Sequence, residues 1–184
     1  MAFLVGFMGM LMAGPPTYRV AKRLLLQLQA KHLWDAYLAE KEIKSGGAFV
    51  WLQSESGHLN NLVVWDATEE NLQNFPAWST DSVMPGEKGL GIVFGHRDSH
   101  FRKLGALKLG ERVMLATKER ELNLKVSFIE ILPKDQLAAG LSRFTQQEGV
   151  VLITCYPFRY AGPAPQRYLV WLEPVNQTPT PSIE

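Results

Sequence analysis

From Glu121 to Leu132 the chain alternates, with Leu122, Leu124, Val126 and Phe128 set against Asn123, Lys125 and Ser127. A period of two buries one face only in a β-strand; on a helix the same side chains would spread around the axis. Other short apolar runs follow Gly47, separated by turn-forming residues: Ala48–Leu52, Asn61–Trp65, Gly89–Gly95, Arg112–Thr117, Val150–Cys155 and Gln166–Leu172. Each is rich in aliphatic and aromatic residues and too short for a helix of ordinary length. Helical turns are expected at Thr68–Asn74, with Asp66-Ala67 ahead of it offering a capping side chain, at Ser99–Leu107, and at Lys134–Ala139 after Pro133. Seven or eight strands in about 130 residues predict a mainly β fold, a closed or nearly closed barrel with short helices, over residues 46–175.

The first 45 residues differ. Ala2 to Ala13 is an uncharged apolar run ending at Gly14-Pro15-Pro16. It is shorter than the roughly 20 residues of a membrane-spanning helix and lacks the basic start of a signal peptide. Residues 1–16 are read as a signal-anchor whose first residues are missing; a buried strand or helix is the alternative. Arg19, Lys22 and Arg23 follow the run, a charge placement that by the positive-inside rule favours a cytoplasmic downstream domain. Residues 17–45 carry Val20, Leu24, Leu28, His32 or Leu33, and Tyr37 at helical spacing and predict an amphipathic linker helix in which His32 packs among apolar neighbours. Residues 176–184 have no core-forming pattern and are read as a loose tail.

Nineteen basic against eighteen acidic residues leave a net charge of +1, so no global field points to nucleic acid. The single cysteine excludes an internal disulfide and a cysteine-rich zinc site. His96, Asp98 and His100 lie close in sequence, but further ligands for zinc are missing, and Gly89, Gly91 and Gly95 lack the dinucleotide-binding spacing. Glu69-Glu70 and Glu119/Glu121 are too scattered for a calcium site. Neither a metal nor another cofactor is expected.

Cys155 ends the apolar run VVLITC, where a scaffold presents functional groups; the competing reading is a buried, inert thiol. His96 closes GLGIVFGH and is a candidate proton carrier, or a capping or solvated side chain. If the last two runs form an antiparallel hairpin, Cys155 and Arg167 are equidistant from Ala161 and face each other about 5 Å apart. The loop between them, with Pro157, Gly162, Pro163 and Pro165, cannot continue a ladder. A guanidinium at that place could favour the thiolate and donate two hydrogen bonds to an oxyanion. An ordinary ion-paired arginine is the alternative for Arg167, and Arg159 is the rival donor. Asp98 either orients His96 or pairs with Arg97, the second being preferred.

The strand end LITCYPF, the upstream GHRD and the downstream QRYLV together resemble the sortases, cysteine transpeptidases of bacterial surfaces. The family's Thr-Leu-x-Thr-Cys-like strand stands here as Val151-Leu152-Ile153-Thr154-Cys155, with Val151 replacing the first threonine. The strings PGEKGLGIVFGHRDSHFRKLGALKLGERV, from Pro85, and TCYPFRYAGPAPQRYLV look most like the Gram-negative, class GN group. YRVAKRLLLQLQAKHLW resembles that group's N-terminal helix. The likeness covers residues 80–172 and, more weakly, 17–40, whereas 48–80 match poorly.

The resemblance implies a sortase-like closed barrel with Cys155 as thiol nucleophile, His96 as acid and base, and Arg167 as oxyanion donor. It implies cleavage of an LPxTG-like sorting signal on a secreted protein through a thioacyl-enzyme, with transfer to an amine or to water. Thr154, Tyr156, Arg159 and Asp98 are expected to border the substrate. The implied location is an inner-membrane anchor with the catalytic domain in the periplasm. The alternatives are a non-catalytic barrel that binds a partner, and another Cys/His peptidase without arginine dependence. With thiol and imidazole at ordinary values of about 8.5 and about 6.5, only a minority is in the thiolate–imidazolium form near neutrality. Activity is therefore expected to pass through a maximum at neutral to mildly alkaline pH, and a rate still climbing to about pH 11, where imidazolium is gone, would contradict His96 as the acid.

Overall fold

The computed structural model describes Ala21, Leu25, residues 29–39 and residues 49–175. Each apolar run becomes a strand: β1 Phe49–Ser54, β2 Asn60–Trp65, β4 Leu90–Phe94, β5 Arg112–Ala116, β6 Glu121–Pro133, β7 Gly149–Tyr156 and β8 Gln166–Pro174. An eighth, β3, is only Ala77–Trp78, too short to show a period. The strands close into a barrel in the order β1-β2-β3-β4-β7-β8-β6-β5, with β1 returning to β5. Pairing is antiparallel except for β2 with β3 and β4 with β7. Among the described residues three α-helices accompany it: α1 at residues 29–39, α2 at Glu69–Asn74 and α3 at Leu137–Ser142.

Strand alternation decides what the barrel encloses. Val150 and Leu152 of β7, Val170 and Leu172 of β8, and Leu124 and Val126 of β6 point inward onto Trp78, Phe101 and Leu104. The intervening residues Val151, Ile153, Leu169 and Trp171 face outward and are also buried, under Phe144, Leu137 and Leu141 of the α3 segment. Covered on both faces, β7 reads as the continuous apolar run VVLI rather than as an alternation. β6 is covered less fully and keeps the alternating pattern, interrupted by a register shift between Val126 and Phe128.

Trp78 anchors the interior. It is fully buried, and its indole N–H donates to the Val83 carbonyl at 3.0 Å. A Cβ on Gly91 would stand 2.5 Å from this ring, so the indole requires glycine on the adjacent strand. Trp78→Ala is expected to cost about 3–5 kcal/mol, read as a lower urea midpoint at unchanged slope.

α2 is capped by Thr68, whose hydroxyl accepts from the Asn71 N–H at 3.2 Å. The cap is thus not Asp66, which adopts a φ of 73° before the helix. α1 docks through Ala30, Trp34 and Tyr37: Trp34 packs on Trp51 at 6.1 Å, and the Lys118 ammonium donates to the Tyr37 carbonyl at 3.3 Å. The docking stripe therefore differs from the expected one. Tyr37 belongs to it, whereas Leu33 and His32 are exposed, because the barrel offers α1 an aromatic patch one step round the helix. Among the described residues no helix is long and apolar enough to cross a membrane. The expected anchor, 1–16, and the expected tail, 176–184, lie outside them.

Candidate active site

Two neighbours of β7 bring the candidate chemistry to one level. On one side, β8 runs antiparallel and pairs Cys155 with Arg167, the register required by hairpin symmetry about Ala161. On the other, β4 runs parallel, with Phe94 beside Ile153. The chain stays alongside β7 one residue further: the Gly95 N–H donates to the Ile153 carbonyl at 3.1 Å, and the Thr154 hydroxyl donates to the Gly95 carbonyl at 2.6 Å. His96 follows, level with Cys155. Strand spacing then sets the three backbones about 5 Å apart in the order His96, Cys155, Arg167.

Cys155 and Arg167 also share a face. Val151, Ile153, Leu169 and Trp171 belong to the outer apolar layer, which Ile92 and Phe94 join from β4. Cys155 and Arg167 continue these alternations by two residues, and His96 lies two residues past Phe94, just beyond the paired part of β4. Cys155 is half-buried and His96 exposed. No hydrogen bond joins the two.

Arg167 is half-buried, and its Nη1 donates to the carbonyls of Gln166 at 2.9 Å and Ala164 at 3.2 Å. One edge of the guanidinium is thereby anchored to its own loop. Nε and Nη2 have no hydrogen-bond partner among the described residues and are left for a ligand. Arg159, the rival donor, is exposed on the loop without a hydrogen bond or ion pair among those residues.

Several expected assignments change. Thr154 is 3% exposed and spends its hydroxyl on Gly95, so it braces the histidine segment instead of bordering a substrate. Tyr156 alternates to the face opposite Cys155 and stacks on Tyr168 at 5.9 Å, with Phe158 edge-on to both rings. This aromatic plug fills the barrel end beneath the loop. Burial, and secondarily the neighbouring Tyr156 phenol, raise the Tyr168 hydroxyl above its ordinary value. Asp98 is exposed and joined by no ion pair or hydrogen bond to Arg97 or His96 among the described residues. Arg97 instead reaches the carbonyls of Pro157 and Tyr160, at 2.9 and 2.7 Å.

Sequence reading missed these Thr154 and Arg97 ties, whose acceptors are backbone carbonyls. Nor do His96, Asp98 and His100 converge. His100 is buried and bonded through Nε2 to the Asn74 carbonyl at 2.8 Å, and no metal-binding group forms among the described residues.

The Thr154 tie has a measurable worth. Thr154→Val keeps the side-chain shape but leaves the Gly95 carbonyl unpaired, and is expected to cost about 1–3 kcal/mol in thermal unfolding. Thr154→Ser, which retains the hydroxyl, is expected to lose much less.

A thiol flanked at one level by an imidazole and a half-anchored guanidinium can carry an acyl group, move a proton and hold an oxyanion. Comparison with known proteins agrees in fold and sequence. The profile of the sortase domain matches residues 52–175. Sortase D of Bacillus subtilis (strain 168) is 35% identical over 91 residues, which are 50% of this chain and 46% of that protein. The match thus spans about half the length of the relative. Among solved structures, Streptococcus agalactiae sortase C1 superposes with a TM-score of 0.61 at 19% identity, covering 89% of this chain and 91% of that one. The Clostridium perfringens sortase D5 transpeptidase gives 0.60 at 19% identity, covering 84% and 99%.

Proposed function

Because this chain belongs to the sortase family, we propose that it is a cysteine transpeptidase acting on a secreted protein with an LPxTG-like C-terminal sorting signal. The observation that supports this reading is the pairing of Cys155 with Arg167 across β7 and β8, beside the Gly95–His96 segment that is tied to Ile153 and Thr154. The Cys155 thiolate attacks the carbonyl carbon after the signal's threonine, and the resulting oxyanion accepts from the free edge of Arg167. Collapse breaks the C–N bond as the His96 imidazolium gives its proton to the departing amine, leaving a thioacyl-enzyme. An incoming amine then loses a proton to neutral His96, attacks the thioester and releases the thiolate. Water in place of the amine gives hydrolysis.

The finer assignment is also a proposal. It places the chain in the Gram-negative group, on the strength of the GHRD and TCYPFRYAGPAPQRYLV strings, with its catalytic domain in the periplasm behind an inner-membrane anchor. The relatives named above are from the Gram-positive Bacillus, Streptococcus and Clostridium, so the subgroup rests on those strings alone.

The deciding experiment incubates the purified protein with LPxTG-type peptides and a small amine and follows products by mass spectrometry. Cleavage after threonine with a mass increment equal to the amine is expected. No product from a varied peptide set, with Cys155 alkylating no faster than free cysteine, would overturn the enzymatic reading in favour of a partner-binding barrel.

A further inference from the structure

We infer that Arg97 is a positioning residue that fastens the His96 segment to the loop leaving Cys155, an inference that rests on the catalytic reading above. Its Nη1 donates to the Pro157 carbonyl at 2.9 Å; its Nη2 donates to the Tyr160 carbonyl at 2.7 Å and, at 3.4 Å, to that of Gly162. The guanidinium carbon also lies 5.7 Å from the centre of the Tyr160 ring. An aspartate follows in sequence, yet the arginine spends its donors on carbonyls some 60 residues away.

The reason lies in the loop. Between β7 and β8 it carries Pro157, Pro163 and Pro165, which have no N–H; at its far end the Lys134 N–H donates to the Pro165 carbonyl at 3.0 Å, whereas the carbonyls of Pro157 and Tyr160 take their donors from Arg97. Arg97 supplies them from outside as charge-assisted bonds, in a fork that spans two carbonyls at once.

The ties bracket the chemistry. Gly95, before His96, is bonded to Thr154, before Cys155. Arg97, after His96, is bonded to Pro157 and the residues beyond it, after Cys155. Histidine and cysteine thus sit inside one closed circuit of hydrogen bonds. At its far end the loop is held by Arg167 through Ala164 and Gln166. The loop cannot lift away from His96 without breaking the Arg97 bonds, so the arginine keeps imidazole and thiol in register through the acyl-enzyme cycle.

Three measurements test this. With a cleaved peptide, Arg97→Ala is expected to lower kcat about 10–100-fold with KM changed less than about threefold, the signature of lost positioning. Arg97→Lys is expected to restore little, since a point charge cannot span both carbonyls. By limited proteolysis, tryptic cleavage after the exposed Arg159 is expected to be at least about tenfold faster in Arg97→Ala. The third readout needs no peptide. Cys155 alkylation is compared with and without His96→Gln in the wild-type and Arg97→Ala backgrounds. The histidine's effect is expected to shrink at least about threefold when Arg97 is absent.

Should Arg97→Ala fail to fold, Arg97→Gln carries the same readouts. The inference is overturned by unchanged cleavage after Arg159, by a histidine effect equal in both backgrounds, or by no histidine effect in either. If no peptide is cleaved by the wild type, the transpeptidase reading fails, while the proteolysis and alkylation arms still decide the role of Arg97.

Discussion

Cys155→Ala is expected to abolish peptide cleavage and amine transfer, a loss of roughly 10⁴-fold or more, while leaving the unfolding midpoint nearly unchanged. The first half follows from the proposed chemistry: in it the sulfur is the atom on which the acyl group travels, and no other cysteine exists to replace it. The second follows from position. Cys155 is half-buried at the rim of the outer apolar layer and belongs to neither buried cluster, so truncating it opens no cavity inside the barrel. Cys155→Ser is expected to be nearly as inactive, because a hydroxyl is a far weaker acid than a thiol and does not supply the preformed anion on which the proposed attack depends. The check is intact-protein mass spectrometry of the trapped thioacyl adduct beside product analysis. Activity within tenfold of wild type in Cys155→Ala would remove the cysteine from the mechanism.

Arg167→Lys is expected to lower kcat/KM about 100–1000-fold, the scale of losing an oxyanion donor. The guanidinium does two things at once here: Nη1 holds the Gln166 and Ala164 carbonyls, and the opposite edge stays available. An ammonium offers a compact point charge and cannot keep that division. Alkylation of Cys155 by a small neutral reagent is expected to persist in the variant, which separates a lost donor from a collapsed site. Near-wild-type kcat/KM with lysine would favour a Cys/His peptidase that needs no guanidinium fork.

Much of this arrangement was legible in the residues. Alternation in β6 and the apolar runs of β7 and β8 mark strands because burial imposes those patterns. Given a hairpin, symmetry about Ala161 implies the pairing of Cys155 with Arg167 that the barrel shows. What escaped has a common cause. β3 is two residues long and shows no period. The partners of Arg97 and Thr154 are carbonyl oxygens, which every residue carries and no sequence advertises. Reading Asp98 as the partner of Arg97 relied on adjacency in the chain, while the structure satisfies a distant loop first. The docking stripe of α1 was displaced because Trp51 and Lys118, not the helix alone, select the face that packs.

The parallel pairing of β4 with β7 has a consequence for the life of the chain. These neighbours are separated by more than fifty residues that must travel out through β5 and β6 and back before they can meet. Contacts of such long range are costly in loop entropy and tend to form late. In the proposed mechanism the thiol therefore acquires its proton partner only as the barrel closes. A nascent or transiently unfolded chain carries cysteine and histidine as strangers, chemically quiet toward bystander peptides, and reactivity arrives together with the finished fold.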